Sequence, residues 1–243
     1  MRALAKGISQ TVGGLPTVLV PGLLCTPQLY AAQLSLFWAA GPVFLADTTR
    51  HRTLGDLARN LLHQAPPEFR LVGFSMGGYI AFEVLRLAPS RVKELILIDT
   101  SARSDTQQIR ERRQQMIHLA QNGRFGRIPL MFSRLVAPGR SHDTQLASVV
   151  EAMRMSIGAE AFVRQQQAML NRPDARPGLR NIACRTLIMV GEEDRVTPVS
   201  AAHEMYGDIS QARLVTIQNA GHLAPMEQPE AVNTALQHWL MAG

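Results

Sequence analysis

Cysteine, lysine and aromatic residues are scarce in this sequence of 243 residues. Its two cysteines cannot form a disulfide framework, and neither lies in a Cys-x-x-Cys pair, so a cysteine-type structural zinc site is excluded. Aromatic residues make up 5% of the chain, which leaves few side chains for base stacking. No stretch approaches the ~20 apolar residues of a membrane span, and residues 1–14 lack the continuous apolar run of a signal peptide. The sequence therefore predicts a soluble cytoplasmic protein that binds neither membrane nor nucleic acid.

The apolar content is nevertheless high enough to form a packed core. Hydrophobic residues make up 46% of the chain and charged residues 18%. This balance excludes disordered and low-complexity proteins. The length corresponds to one domain, or to one domain with a sizeable insertion.

The net charge of +6 comes from arginine, since only Lys6 and Lys93 are lysines. Residues 101–180 hold 13 arginines and 6 acidic residues, a balance of +7, so the rest of the chain carries −1. An arginine-rich solvated surface is the simplest interpretation. The alternative is that arginines such as Arg110, Arg112 and Arg113 attract an anionic substrate or an acidic carrier protein.

Apolar runs rich in Val, Leu and Ile alternate with helix-like stretches along the chain. Their lack of polar alternation is typical of strands that are buried on both faces. The predicted strands are 17–20, 43–46, 70–74, 95–98, 186–190 and 213–217, and the predicted helices are 29–38, 54–64, 76–87 and 230–241. This alternation predicts an α/β fold with a mostly parallel sheet and helices on both faces.

Residues 101–181 interrupt this alternation. They contain no convincing strand, but helical periodicity occurs around 110–120, 145–155 and 159–171. We predict that 1–100 and 182–243 form the core and that 101–181 form a helical cap insertion, called the cap segment below. It offers these apolar side chains to a pocket: Phe125, Leu130, Met131, Phe132, Leu135, Met153, Met155, Ile157, Phe162 and Met169.

The pattern Gly73-Phe74-Ser75-Met76-Gly77 has the form Gly-x-Ser-x-Gly. An apolar strand precedes it and a helix with small residues follows it, which is the context of a nucleophile elbow. In such an elbow, a sharp strand-to-helix turn exposes the serine hydroxyl. Ser75 is therefore the predicted catalytic nucleophile.

A serine hydroxyl needs a neighbouring base, and that base needs a carboxylate to orient it. His222 is the best placed of the seven histidines, because it follows the last predicted strand. Asp194 is the preferred carboxylate, and the spacing leaves Glu192, Glu193 and Asp99 open as alternatives.

Ester hydrolysis also needs backbone N–H groups that stabilise a developing oxyanion. The first is expected at Met76, directly after the nucleophile, and the second at Leu23, in the loop after the first strand. Gly22 allows this loop to approach the reacting atoms closely. Cys25 lies in the same loop, but nothing nearby in the sequence would activate its thiol.

With these motifs, nearly the whole chain resembles the α/β-hydrolase superfamily. The order Ser75, Asp194, His222 matches the order of the family's triad, and Gly191 with an aspartate three residues later resembles its acid-bearing turn, which favours Asp194. Within the superfamily, the chain resembles carboxylesterases related to pimeloyl-acyl-carrier methyl-ester esterase and 3-oxoadipate enol-lactonase. One departure is that Pro21-Gly22 stands where the family commonly has His-Gly.

The resemblance implies a serine esterase that cleaves short-to-medium acyl esters through an acyl-enzyme. No metal or cofactor is expected, since the sequence has no zinc-type histidine spacing and no glycine-rich phosphate loop. The alternatives are hydrolysis of an enol-lactone or a carbon–carbon bond in aromatic degradation, haloperoxidase-like perhydrolysis, and a receptor without catalysis.

Overall fold

The fold is built on one sheet of six parallel strands. A computed structural model describes residues 14–242 of the chain. The strands are β1 (Thr17–Val20), β2 (Val43–Leu45), β3 (Phe69–Phe74), β4 (Val92–Ile98), β5 (Arg185–Gly191) and β6 (Ala212–Ile217). They are ordered β2-β1-β3-β4-β5-β6, and every pairing between neighbours in that order is parallel. The predicted α/β fold class is confirmed.

Helices cover both faces of this sheet. The α-helices are α1 (Leu34–Ala40), α2 (Leu54–Gln64), α3 (Met76–Leu87), α4 (Gln107–Gln121), α5 (Phe132–Leu135), α6 (Thr144–Leu170), α7 (Val199–Asp208), α8 (Ala224–Glu227) and α9 (Pro229–Met241). Because side chains alternate along a strand, Leu71 packs with α2 and α3 on one face, whereas Val72 packs with α1 and α9 on the other. Two buried apolar clusters therefore hold the sheet between them.

Two details differ from the sequence prediction. Residues 29–38 do not form one helix, because a short 3-10 turn, Pro27–Tyr30, precedes α1. Thr26 caps that turn and Pro27 starts it, so a separate helical turn begins before α1. The strands β2 and β6 are also partly exposed rather than buried on both faces, since they lie at the edges of the sheet.

The cap segment contains α4, α5 and α6 between β4 and β5. The two helices predicted at 145–155 and 159–171 are joined as α6, with a kink at Gly158, where φ is 75°. A positive φ interrupts the helix at a residue that tolerates it. The division of the chain into a core and a cap stays a prediction. None of the helices in residues 14–242 is long and apolar enough to cross a membrane.

Candidate active site

The turn between β3 and α3 places Ser75 in a backbone conformation that non-glycine residues rarely adopt. Its φ is 51° and its ψ is −113°. Neighbouring groups hold it there: the Ser75 N–H donates to the Ile98 carbonyl at 3.0 Å, and the Thr100 hydroxyl donates to the Ser75 carbonyl at 2.8 Å. Such conformations persist where the surroundings fix them, and they are concentrated at functional sites.

Gly77 allows α3 to start directly beside β1. A Cβ atom on Gly77 would lie 2.0 Å from the carbonyl oxygen of Val20, which no side chain could tolerate. The second glycine of the Gly-x-Ser-x-Gly pattern is therefore required by close backbone packing. This packing fixes the amino terminus of α3 next to the loop that follows β1.

Ser75, His222 and Asp194 form a continuous chain of hydrogen bonds. The Ser75 Oγ atom lies 2.9 Å from His222 Nε2, and His222 Nδ1 lies 2.8 Å from Asp194 Oδ2. Ser75 follows β3, Asp194 lies in the turn after β5, and His222 lies in the loop after β6, so three parallel strands deliver them to one edge of the sheet. The three predicted catalytic side chains are thus brought together.

Thr197 completes the surroundings of the aspartate. Its hydroxyl donates to Asp194 Oδ2 at 2.7 Å, and the N–H groups of Val196 and Thr197 donate to Asp194 Oδ1. Burial by itself would raise the pKa of Asp194, but the charge of His222 and hydrogen bonds from His222 and Thr197 hold this pKa below its ordinary value. The carboxylate is therefore ionised and fixed. The sequence analysis did not identify Thr197, although its position three residues after an aspartate is a signal for such a turn.

The three rival acids lie elsewhere. Glu192 is exposed and Glu193 is half-buried. Asp99 is fully buried at the end of β4, where its two oxygens accept N–H groups from Gly191 at 2.8 Å and Ala224 at 3.3 Å. Burial raises the pKa of Asp99 well above its ordinary value, and the charge of Asp194 raises it further. Asp99 therefore joins the two loops that carry Asp194 and His222, and it forms no hydrogen bond with the His222 ring.

Glu227 fixes the loop that carries His222. Its Oε1 atom accepts the N–H groups of Gly221 at 2.9 Å and Leu223 at 3.1 Å, the residues on either side of the histidine. Its Oε2 atom accepts the N–H of Ala137, in the cap segment, at 2.7 Å. The sequence analysis assigned no role to Glu227, because these three contacts depend on a tertiary arrangement that has no local pattern.

The loop after β1 lies against the nucleophile. Leu23 lines the same pocket as Ser75, and its N–H has no acceptor within residues 14–242. Met76 is the first residue of α3, and the N–H groups in the first turn of a helix have no acceptor within that helix. A Cβ on Gly22 would lie 3.2 Å from the Ser75 Cβ, so the two segments are in close contact.

The conformation of this loop depends on a residue in the cap segment. Leu24 has a left-handed φ of 59°, and its N–H donates to the Gln165 side-chain oxygen at 3.1 Å. The Gln165 amide nitrogen in turn donates to the Thr48 hydroxyl at 3.2 Å, and the Gln165 side chain is fully buried. Nothing in the sequence around Gln165 distinguishes it from the neighbouring glutamines, so the sequence analysis missed it.

Cys25 lines the pocket but is not a competing nucleophile. Burial raises the pKa of its thiol to about 12, although a hydrogen bond with the Gly22 backbone opposes the shift. Because the thiolate is the reactive form, Cys25 is inert at neutral pH.

Ser75 and His222 open into a pocket of about 260 Å³ that is lined both by residues of the cap segment and by residues that precede and follow it in the chain. Seven of the ten residues predicted as lining do line it: Phe125, Leu130, Met131, Leu135, Met153, Phe162 and Met169. The prediction was wrong for Phe132, Met155 and Ile157, and the Met155 side chain is 60% exposed. Met155 lies on a side of α6 that faces solvent. Within residues 14–242, no group of three His, Cys, Asp or Glu side chains is arranged to hold a metal ion.

Several known proteins resemble this chain in sequence. The model of the Alpha/beta hydrolase family matches residues 17–235. A Mycobacterium tuberculosis protein provisionally named non-heme bromoperoxidase BpoC is 29% identical over 181 residues, which cover 69% of this chain and 66% of that protein, just under two thirds. The 3-oxoadipate enol-lactonase 2 of Acinetobacter baylyi is 26% identical over 185 residues, which cover 75% of this chain and 67% of the lactonase.

A solved structure with the same fold is that of a thermophilic esterase from Thermogutta terrifontis. It superimposes with a TM-score of 0.82 at 29% identity, over 94% of this chain and 90% of the esterase. The resemblance found in the sequence is thereby confirmed at the level of family and fold.

Proposed function

This chain belongs to the alpha/beta hydrolase family, and on that premise we propose that it is a serine esterase that hydrolyses carboxylic esters of short-to-medium acyl chains. One observation carries the proposal: the hydrogen-bonded chain from Ser75 Oγ through His222 to the ionised Asp194 opens into an apolar pocket. A half-buried serine that is hydrogen-bonded to a buried histidine, which is in turn bonded to a buried aspartate, is suited to acyl transfer.

In the first half of the proposed reaction, Ser75 becomes acylated. As the Ser75 Oγ atom attacks the ester carbonyl carbon, His222 Nε2 accepts the hydroxyl proton. Asp194 keeps the proton of His222 on Nδ1 and stabilises the imidazolium that forms. The tetrahedral intermediate then collapses, and His222 donates its Nε2 proton to the departing alkoxide, which leaves as an alcohol.

In the second half, water releases the acid. His222 Nε2 takes a proton from a water molecule while the water oxygen attacks the acyl-serine carbonyl. In both halves the negative charge on the substrate oxygen is stabilised by the N–H groups of Leu23 and Met76, as we propose from their positions beside Ser75. Collapse of the second intermediate expels Ser75 Oγ, which recovers its proton from His222.

We expect 4-nitrophenyl esters to be hydrolysed with the highest kcat/KM for acyl chains of about four to eight carbons. The pocket is smaller than the ~300–1,000 Å³ typical of sites for drug-sized ligands, so long acyl chains do not fit inside it. The measurement is kcat/KM across a chain-length series, together with mass spectrometry of the intact protein after treatment with a fluorophosphonate. A protein that neither turns over these esters nor gains the mass of the probe at Ser75 would be a receptor rather than an esterase.

Lactone hydrolysis is a second candidate, because the enol-lactonase named above is a relative over most of its length. The same triad opens a lactone, which is a cyclic ester, without any change in the residues or proton transfers. A lactone hydrolysed with a kcat/KM more than tenfold above that of the best linear ester would make lactonase the physiological activity. Perhydrolysis, suggested only by the name of the bromoperoxidase relative, is tested by halide oxidation in the presence of acetate and hydrogen peroxide.

Replacing Gln165 with leucine is expected to lower kcat about tenfold with little change in KM. The variant removes the acceptor of the Leu24 N–H, so the left-handed turn beside Leu23 loses its support. The oxyanion forms only during the chemical step, so misplacing its donor acts on kcat. Steady-state kinetics with 4-nitrophenyl butyrate measures the effect.

Gln167→Leu is the matched control for this variant. Gln167 lies on the same helix and its side-chain oxygen has no hydrogen-bond partner within residues 14–242. The Gln167→Leu variant is therefore expected to keep wild-type kcat. Equal losses of kcat in the two variants would mean that Gln165 acts only on the general packing of α6.

A further inference from the structure

The pocket that contains Ser75 is lined by cations and not by anions. Four arginines line it, namely Arg112, Arg113, Arg134 and Arg154, and no aspartate or glutamate of residues 14–242 does. The rest of its wall is mostly apolar. A neutral ester would need none of these charges.

Two of the four arginines already form ion pairs with carboxylates of the protein. The Arg113 Nε atom lies 2.6 Å from the buried carboxylate of Asp105, and Arg154 forms a pair with Glu151 at 2.8 Å. Arg113 also donates to the side chain of Gln166 at 2.8 Å. These two guanidinium groups are held by the protein and have little capacity left for a ligand.

Arg112 and Arg134 have no such partner. Within the described part of the chain, neither forms an ion pair with a carboxylate. The Arg112 guanidinium contacts the thioether of Met131, which is a weak acceptor. The two arginines come from different segments, α4 and α5, and both face the pocket. The sequence had grouped Arg112 with Arg110 and Arg113, but Arg110 donates to the Asp105 carbonyl and Arg113 is paired with the Asp105 side chain.

We propose that Arg112 and Arg134 form a subsite for a carboxylate group on the substrate, at the end remote from the ester bond. The proposal rests on the proposed esterase function and names its substrate class: an ester that carries a free carboxylate. A guanidinium binds a carboxylate through two parallel N–H bonds, which supplies orientation as well as affinity. The apolar wall between the arginines and Ser75 accommodates the carbon chain that joins the two ends of the substrate.

A matched pair of substrates tests this subsite. 4-Nitrophenyl hexanoate and the 4-nitrophenyl monoester of adipic acid both have six-carbon acyl chains, and they differ only in a terminal methyl or carboxylate. We expect the wild-type protein to hydrolyse the adipate monoester with at least tenfold higher kcat/KM, after subtraction of the uncatalysed rate. The double variant Arg112→Gln/Arg134→Gln is expected to lose this preference through a higher KM, with kcat/KM for the hexanoate changed less than twofold.

The double variant Arg124→Gln/Arg127→Gln is the control. Both residues are exposed in the same segment, and neither lines the pocket. This control removes the same charge from the cap segment and is expected to keep the preference. If both double variants lose the preference for the adipate monoester equally, the preference comes from the charge of the whole cap segment and the proposed subsite is wrong. A general positive charge of this kind is what binding of an acidic carrier protein would require.

Salt dependence separates the remaining outcomes. Raising the ionic strength from about 0.05 M to about 0.5 M is expected to lower kcat/KM for the adipate monoester only, because screening acts on the charged substrate. If wild-type protein hydrolyses both esters equally well at all salt concentrations, the subsite is wrong but the esterase function stands. If it hydrolyses neither, the proposed function itself fails.

Discussion

Replacing Ser75 with alanine is expected to lower the turnover number for 4-nitrophenyl hexanoate by about six orders of magnitude. The Oγ atom that lies 2.9 Å from His222 Nε2 is lost, so no acyl-enzyme can form. The remaining acceleration over water comes from the oxyanion donors and from substrate binding. The same variant is expected to lose all covalent labelling by a fluorophosphonate. Steady-state kinetics and the mass of the intact protein measure the two effects.

The fold of this variant should stay intact, because no hydrogen bond that holds the elbow uses the Ser75 hydroxyl. The supporting bonds from Thr100 and to Ile98 involve only backbone atoms of residue 75. Ser101→Ala is the control, since Ser101 is a buried serine after β4 that does not line the pocket. It should keep wild-type activity and labelling. A Ser75→Ala protein that retains most of its esterase activity would require a different nucleophile.

The features that could be predicted from the sequence are those with local causes. The strands are continuous apolar runs, and the elbow needs glycine where α3 touches β1, so both have patterns within a few residues. The positions of Ser75 and His222 follow from these patterns, because polar residues at the carboxyl ends of parallel strands meet at one edge. The kink of α6 was not predicted, although Gly158 lies between the two helical patterns.

The supports of the site could not be predicted, because they connect segments that are distant in sequence. Gln165 holds a loop 141 residues away, and Glu227 holds the cap segment 90 residues away. In the sequence, each looks like an ordinary polar residue of a helix, because the adjacent residues give no sign of these contacts. Only the tertiary structure shows that their side chains are buried and bonded to backbone N–H groups.

The choice of the acid is the clearest case in which the structure adds to the sequence. Asp99 and Asp194 both follow buried strands, and spacing alone does not distinguish them. In the structure, their pKa values are shifted in opposite directions. Asp194 is bonded to His222 and Thr197, which hold its pKa low, whereas burial and the neighbouring negative charge hold the pKa of Asp99 high. A carboxylate that orients an imidazolium must be ionised, so the pKa directions favour Asp194.

Replacing Asp194 with asparagine is expected to lower kcat by about four orders of magnitude. The asparagine amide fits the same space, but its NH₂ group would face His222 Nδ1 and favour the wrong tautomer of the ring. The protonated nitrogen would then be Nε2, which could no longer accept the proton of Ser75. The N–H groups of Val196 and Thr197 can still donate to the remaining side-chain oxygen, and only the Thr197 hydroxyl loses its acceptor. The loss should therefore appear in kcat far more than in thermal stability.

Asp99→Asn is the discriminating control for this prediction. Because burial raises the pKa of Asp99 well above its ordinary value, a neutral amide is better tolerated at this position than at Asp194, whose pKa is lowered. The amide oxygen can accept the Gly191 N–H, and only the longer bond from Ala224 is lost. We expect about 1 kcal/mol of lost stability and less than a tenfold loss of kcat. Thermal unfolding and kinetics of the two variants decide the assignment: if Asp99→Asn is the more damaging to kcat, Asp99 and not Asp194 is the acid that supports His222.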